Sequence, residues 1–189
     1  MNDYFMKSYK LILSEIEEAL SSVSQKDIMK LIDAIIKANK IYVIGAGRMG
    51  IMVSAFCMRL YQLGFNTFIV GTVTCPPISS EDLLLIGSSS GETPSLSVIV
   101  EECKKYGAEI FTITANPDST IGKLSDNYLY LKGPSSVEDS KKNMIFSKQP
   151  MKALFEQSLF ILLDSIILQL MKVTDQTADD MAKRHTNLE

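Results

Sequence analysis

Short apolar runs alternate with helical patterns through the middle of this 189-residue chain. A run of four to six residues that is rich in Ile, Leu and Val and bounded by glycine or polar residues is typical of a buried strand. Strands separated by helices form right-handed βαβ units, and these build a parallel sheet with helices on both faces. The sequence therefore predicts a three-layer α/β fold. The expected strands are 41–44, 66–70, 83–87, 109–114 and 128–131.

Helices are predicted between and around these strands. Two amphipathic patterns precede the first strand, and Ser24 can cap the second of them. A long apolar helix and a short helix capped by Thr174 or Asp175 are expected at the C-terminal end. A polar segment without periodicity, 134–150, is predicted to be a mobile loop. We expect one domain over 1–189. The expected helices cover 3–20, a segment that includes 28–35, 48–63, 94–106 and 151–172, and a short last helix ends near residue 183.

A hydroxyl-rich loop follows the third predicted strand. Six residues contain Ser88, Ser89, Ser90 and Thr93, together with the flexible Gly91, and a helix begins directly afterwards. Free backbone N–H groups and the positive end of the helix dipole favour an anion at such a position. The loop has no lysine and no Gly-x-x-x-x-Gly-Lys-Ser/Thr pattern, so it is not a nucleotide P-loop. An ordinary helix cap needs one hydroxyl, and four favour a phosphate monoester on a small molecule.

A second glycine-rich turn follows the first strand and reads Gly45-Ala46-Gly47-Arg48-Met49-Gly50. It matches the dinucleotide fingerprint, but a dinucleotide site also needs an acidic residue at the end of the second strand. That strand ends in Val70-Gly71-Thr72, so an NAD site is only a minor alternative. We interpret the glycines as a tight turn that directs Arg48 into a ligand crevice. A strand order of 2-1-3-4-5 would place this turn beside the hydroxyl loop.

Two further side chains are candidates for acid–base chemistry. Glu156 begins the apolar stripe of the long C-terminal helix. Burial there would raise its pKa towards the range of a general base, whereas in the first helical turn the dipole would favour a solvated carboxylate. The pattern leaves both open. His185 is the single histidine and, from composition alone, is a solvated residue near the C-terminus. The long helix is apolar on nearly every side, which predicts an oligomer interface.

Composition narrows the classes of partner. The net charge is −3 without a long basic run, so nucleic acid and anionic membrane are not expected. Three separated cysteines and one histidine argue against a disulfide framework and against a metal centre. Residues 1–10 lack the apolar core of a signal peptide. The stretch 159–171 is interrupted by Asp164 and, as a run of 13 residues, is expected to be too short to span a bilayer. A cytoplasmic protein is expected.

Together these motifs resemble the 6-phospho-3-hexuloisomerases, a family of SIS (sugar isomerase) domain proteins with a flavodoxin-like fold. The resemblance covers essentially the whole chain. The chain departs from the family at Lys152 and Ala153, where a glycine and a small hydroxyl residue are usual. The matching segments are 45–48, 58–60, 63–65, 90–93, 149–151, 154–157 and 184–189.

The resemblance implies an isomerase that interconverts 3-hexulose 6-phosphate and fructose 6-phosphate. Such enzymes act beside 3-hexulose-6-phosphate synthase in the ribulose monophosphate pathway of formaldehyde fixation, or in its reverse. The resemblance also implies a homotetramer that needs no cofactor and no metal. Glu156 would be the proton shuttle, Arg48 and loop amides would stabilise the enediolate, and His185 would open the sugar ring, within reach of a neighbouring subunit's site. Gly47, Arg48 and the hydroxyl loop would hold the phosphate.

Two alternatives remain open at this point. One is another aldose–ketose isomerase with the same domain, such as arabinose-5-phosphate isomerase. The other is a sugar-phosphate sensor that has no catalytic activity.

Overall fold

The computed structural model describes residues 2–135 and 147–188. Most of the predicted mobile loop, residues 136–146, lies outside this described part. The helices are α1 Asn2–Ser21, α2 Gln25–Lys37, α3 Arg48–Gln62, α4 Pro94–Lys105, α5 Thr120–Leu124, α6 Ala153–Val173 and α7 Ala178–Ala182.

Five parallel strands form one sheet in the order β2-β1-β3-β4-β5, which confirms the predicted topology. Their bounds are β1 Ile41–Gly45, β2 Thr67–Ile69, β3 Leu83–Gly87, β4 Glu109–Thr114 and β5 Asn127–Tyr130. β1 lies between β2 and β3, and Gly45 at its end is in register with Gly87 at the end of β3. The loops that leave these two strands therefore emerge side by side.

Helices cover both faces of the sheet because successive strand residues point to opposite sides. In β1, Ile41 and Val43 pack with α2, α3 and α6, whereas Tyr42 and Ile44 pack with α4 and α5. α1 lies outside this arrangement and packs on α6, where Ile16 and Ala19 of α1 contact Leu154. The predicted three-layer architecture is confirmed.

α6 corrects one prediction. The helix has 21 residues and by length and composition could cross a membrane, so the expectation that its apolar stretch is too short was wrong. The prediction considered residues 159–171 alone, whereas the helix runs from Ala153 to Val173 and its apolar window of 18 residues extends beyond that stretch. Half of its most apolar window is buried inside the fold, and the core helix of a soluble protein can meet the same criteria.

The C-terminal helices differ from expectation in one detail, and α5 was not predicted. Thr177 caps α7 and forms a reciprocal capping box with Asp180, so neither Thr174 nor Asp175 is the cap. Thr174 instead ends α6, and Asp175 has a positive φ of 53° that turns the chain. α5 has five residues and contains a glycine, which is too short a pattern for helical periodicity to reveal.

Candidate active site

Two loops form a crevice at the carboxyl edge of the sheet, where ligands bind in folds of this class. One is the glycine turn 45–47 between β1 and α3, and the other is the hydroxyl loop 88–93 between β3 and α4. The neighbouring ends of β1 and β3 bring the two loops together, as the strand order predicted.

The glycines of this turn and of the helix start that follows it are needed for two reasons: Gly45 and Gly50 leave no room for a side chain, whereas Gly47 has open space but a positive φ. A Cβ on Gly45 would lie 2.9 Å from the nitrogen of Gly50, and a Cβ on Gly50 would lie 2.7 Å from the Gly45 oxygen. Gly47 has φ 58° and ψ −133°, a conformation that side chains strongly disfavour. The fingerprint glycines thus serve a close strand-to-helix turn, and no side chain caps the helix that begins at Arg48.

Arg48 and Glu156 form an ion pair across the crevice. α3 and α6 both begin at this edge, and the Arg48 Nη1 atom donates to Glu156 Oε2 at 2.9 Å. The Glu156 side chain is 14% exposed and that of Arg48 is 50% exposed. This geometry resolves the alternatives that the sequence left open, since the carboxylate is neither buried alone nor fully solvated. It is sheltered, charge-paired and still reachable from the crevice.

The four hydroxyls of the loop divide into two pairs. Ser88 and Ser89 are buried, and their hydroxyls bond within the protein. The Ser88 hydroxyl accepts the Gly91 N–H at 3.1 Å, and the Ser89 hydroxyl donates to the Pro134 carbonyl at 3.1 Å. Their side chains therefore shape the loop.

Ser90 and Thr93 form the second pair, and both are partly exposed. Thr93 is the N-cap residue of α4, yet its hydroxyl makes no capping bond to the helix. By contrast, Ser24, Ser119 and Thr177 each cap their own helices through the side chain. The start of α4 thus places a hydroxyl that its helix does not use beside the positive end of the helix dipole, a combination suited to an anion.

α5 holds the hydroxyl loop in place, and this support was missed at the sequence level. A Cβ on Gly91, which has φ 64°, would lie 1.8 Å from the Ser119 hydroxyl, so the loop and α5 are in close contact. The Glu92 carboxylate accepts the Thr120 N–H at 2.9 Å and its hydroxyl at 2.7 Å. These bonds lower the pKa of Glu92. The Ser119 hydroxyl accepts the Gly122 N–H at 3.1 Å, and a serine three positions before this N–H was a signal that could have indicated α5.

His185 lies at the other end of the subunit. Arg184 beside it donates from Nη1 to the carbonyl of Gln62, the last residue of α3. The 15 residues of α3 rise about 1.5 Å each, so its ends are about 20 Å apart. His185 lines a cavity of about 510 Å³ there with Arg59 and Met171. Within one subunit, the structure therefore does not bring His185 together with Arg48 and Glu156.

No cofactor site is assigned to the crevice. β2 ends at Ile69 and is followed by Val70, where a ribose-binding acid would stand in a dinucleotide site. Among residues 2–135 and 147–188, no group of three or more His, Cys, Asp or Glu side chains could hold a metal ion.

Residues 34–159 match the family profile of the SIS domain. The chain belongs to the SIS domain family. The 3-hexulose-6-phosphate isomerase of Bacillus subtilis is 38% identical over 178 residues, which cover 94% of this chain and 95% of that protein. The 3-hexulose-6-phosphate isomerase of Mycobacterium gastri is 31% identical over 189 residues, which cover 100% of this chain and 94% of that protein.

A solved structure shares the fold. The crystal structure of a Methanococcus jannaschii protein, from which a 3-hexulose-6-phosphate isomerase function was inferred, is 28% identical, with a TM-score of 0.81. The matched region covers 97% of this chain and 99% of that chain. The matched SIS range contains both loops and Glu156, whereas His185 lies beyond it.

Proposed function

We propose that this SIS domain protein is a 3-hexulose-6-phosphate isomerase, which converts D-arabino-hex-3-ulose 6-phosphate into fructose 6-phosphate and back. The observation that carries the proposal is the Arg48–Glu156 pair at 2.9 Å beside the uncapped start of α4. A base, a cation and an anion site at one crevice are the groups that this reaction requires. The 38% identity to the Bacillus subtilis isomerase supports the substrate.

The chemistry moves a carbonyl from C3 to C2. Glu156 takes the proton from C2 of the 3-ketose, and the electrons of that bond form the C2–C3 double bond of an enediolate with its charge on O3. A proton then moves from O2 to O3, and Glu156 returns its proton to C3, which leaves the carbonyl at C2. One carboxylate can serve both transfers because C2 and C3 are adjacent. The reaction is redox-neutral overall and so consumes no external oxidant or reductant.

Arg48 stabilises the charge that develops on the enediolate. A guanidinium carries five N–H donors in a fixed fork, and the bond to Glu156 uses one of them. A preorganised cation beside the reacting oxygens lowers the transition-state energy most effectively in a site shielded from water.

The phosphate binds at the hydroxyl loop. Ser90 and Thr93 supply hydroxyls, and Gly47 and Gly91 let the backbone approach closely. Ser88 and Ser89 contribute through the shape of the loop, because their own N–H groups already bond to the Ile113 carbonyl and to Met49 Sδ. This site holds the sugar at one end while Glu156 acts on C2 and C3.

His185 is proposed to open the cyclic sugar in the site of a neighbouring subunit. It lies about 20 Å from Arg48 along α3, so only a second copy can bring the two groups together. The proposed assembly is a homotetramer. It is supported by apolar side chains on the outer surface of α6, among them Phe160, Ile161 and the 68% exposed Leu168. A monomeric mass by light scattering at micromolar concentration would contradict this assembly.

The proposed setting is cytoplasmic, with a single SIS domain over 1–189 that acts beside 3-hexulose-6-phosphate synthase in the ribulose monophosphate pathway. Turnover of fructose 6-phosphate by the purified protein, with E156Q as a control, tests the enzyme against the sensor alternative. Binding of fructose 6-phosphate without turnover would favour the sensor. Turnover of arabinose 5-phosphate alone would favour the other isomerase.

A further inference from the structure

Glu15, on α1, holds the segment that leads into α6. Its carboxylate accepts three hydrogen bonds from consecutive residues of that segment. The donors are the Ser147 hydroxyl at 2.7 Å, the Lys148 N–H at 3.0 Å and the Gln149 side-chain amide at 2.9 Å. The Ser147 hydroxyl also accepts the Gln149 N–H at 3.1 Å, which closes the turn on itself. One side chain therefore fixes three residues that are more than 130 positions away in sequence.

The carboxylate of Glu15 acts in its charged form. Burial by itself would raise the pKa of Glu15, but the hydrogen bonds from Ser147, Lys148 and Gln149 outweigh burial, and its pKa lies below the ordinary value. Hydrogen bonds to a charged acceptor are stronger than those between neutral groups. The contact is therefore firm at neutral pH.

The start of α6 needs such support. Met151 has φ 55°, a backbone conformation that is uncommon and unfavourable for a residue with a side chain. Lys152 is the N-cap residue of α6 and makes no side-chain capping bond. A strained, uncapped helix start keeps its shape only where its surroundings hold it.

α1 supports this helix start at two points. Glu15 holds residues 147–149, while Ile16 next to it and Ala19 one turn further along α1 pack on Leu154 in the first turn of α6. Glu156 lies in that same turn, and its N–H bonds to the Lys152 carbonyl at 3.1 Å. The position of the Glu156 carboxylate therefore depends on α1.

We propose that Glu15 is a positioning residue, which sets the location of the Glu156 carboxylate relative to Arg48 by fixing residues 147–149. The role rests on the proposed isomerase function. Glu15 bonds to the approach to α6 and, among the residues described, makes no hydrogen bond to the hydroxyl loop, so its effect should fall on the chemical step rather than on phosphate binding. A displacement of about 1 Å at a catalytic group can reduce a rate up to about a hundredfold.

The test compares E15Q with E17Q, which makes the same charge change two positions away on the exposed side of α1. We expect E15Q to lower kcat for fructose 6-phosphate about tenfold to a hundredfold, with KM within about twofold of wild type. E17Q should match the wild type in both. Hydrogen–deuterium exchange by mass spectrometry should show faster exchange in E15Q over residues 147–156 and unchanged exchange over 88–93.

Three outcomes would overturn the proposal. Unchanged exchange over 147–156 in E15Q would mean that Glu15 does not hold this segment. Faster exchange with wild-type kcat would mean that the segment does not position Glu156. An equal loss of kcat in E17Q would make the effect one of helix charge. If E15Q does not fold, S147A removes one of the three bonds from the other side and should show the same pattern at smaller size.

The exchange measurement also separates this proposal from the proposed function. A wild-type protein without isomerase activity would overturn the function. The exchange difference between E15Q and E17Q would still decide whether Glu15 fixes residues 147–149.

Discussion

Arg48 and Glu156 lie 108 positions apart in the chain and join their side chains at 2.9 Å across the carboxyl edge of the sheet. Each is in the first turn of its helix, and the two helices start side by side because they pack on the same face of the sheet. The pair thus places a carboxylate and a guanidinium in contact before any substrate binds. A preassembled pair needs little rearrangement during the reaction, which is the condition under which electrostatic stabilisation is most effective.

The Glu156 carboxylate is expected to carry the proton. E156Q keeps the size of the side chain and its ability to accept a bond from Arg48, so the protein should fold and bind sugar phosphate. Because the amide cannot accept the C2 proton, kcat should fall by about 10²–10⁴-fold. Incorporation of solvent deuterium into fructose 6-phosphate, followed by NMR, measures the step directly. Incorporation at the wild-type rate would remove Glu156 from the mechanism.

Arg48 is expected to matter for rate far more than for stability. R48A removes the cation that is proposed to stabilise the enediolate, and kcat should fall by about 10²–10³-fold. The melting temperature should change little, because a half-exposed ion pair contributes about 0–1 kcal/mol to folding. R48K tests the geometry, since lysine keeps the charge but loses the planar fork. Full activity in R48K would show that charge alone is sufficient.

Substitutions at Thr93 and Ser89 should have different effects, one on substrate binding and the other on the stability of the fold. T93A removes a hydroxyl that does not cap α4, so KM for fructose 6-phosphate should rise roughly tenfold to a hundredfold with little change in stability. S89A removes the buried donor to Pro134 and should instead lower the free energy of unfolding by about 1 kcal/mol. Steady-state kinetics and urea unfolding on both variants check the contrast. An unchanged KM in T93A would place the phosphate elsewhere.

Much of the fold follows from local pattern, and the contacts of the site do not. Apolar runs such as Leu83–Gly87 are buried on both sides, so they indicate strands of a parallel sheet without knowledge of the rest of the chain. The orientation of Ser89 depends on a partner outside the loop, the Pro134 carbonyl, and so could not be seen in the sequence. The number of serines indicated an anion site, but it could not show which hydroxyls form hydrogen bonds within the protein.

The sequence also could not indicate long-range pairs. Glu156 could be placed in a first helical turn from periodicity, but its partner Arg48 is fixed by the packing of α3 against α6. The five residues of α5 escaped prediction because one turn of helix has no measurable period. The N-cap of α7 is Thr177, and Asp175 instead has a positive φ. A backbone turn of this kind is not visible in the hydropathy pattern.

Asp82 is expected to stabilise the fold at neutral pH and to lose this contribution as the pH becomes acidic. It is 2% exposed, and its carboxylate binds the Lys40 ammonium at 2.9 Å and the Ser79 N–H at 2.7 Å. Burial by itself would raise the pKa of Asp82, but the bonds from Lys40 and Ser79 outweigh it and lower the pKa below the ordinary value.

A lowered folded-state pKa contributes stability above the unfolded pKa of about 3.9, and this is lost as the pH falls through the folded value. D82N should therefore be less stable than wild type by about 2–3 kcal/mol at pH 7. The difference should narrow as the pH falls below about 4, because the unfolded chain binds a proton at Asp82 there before the folded protein does. Urea unfolding of both proteins from pH 3 to pH 7 measures it. A difference that is constant across this range would show that the carboxylate charge does not contribute.

His185 is expected to act across a subunit interface. It lies beside Gln62 at the end of α3 away from Arg48, so H185A leaves the Arg48–Glu156 pair and the hydroxyl loop of its own subunit intact. If His185 opens the sugar ring, H185A should lower kcat and leave KM nearly unchanged, because ring opening follows phosphate binding. An open-chain substrate analogue that needs no ring opening should be turned over by H185A at close to the wild-type rate.

Subunit mixing decides where His185 acts. H185A and E156Q are each defective in every site of their own homo-oligomers. In a hybrid, a site that combines Glu156 of an H185A subunit with His185 of an E156Q subunit holds both groups, so unfolding and refolding the two variants together should restore part of the activity. If both residues acted within one subunit, no hybrid site could be complete and the mixture would stay inactive. That result, or a wild-type kcat for H185A across the pH range, would exclude the proposed role for His185.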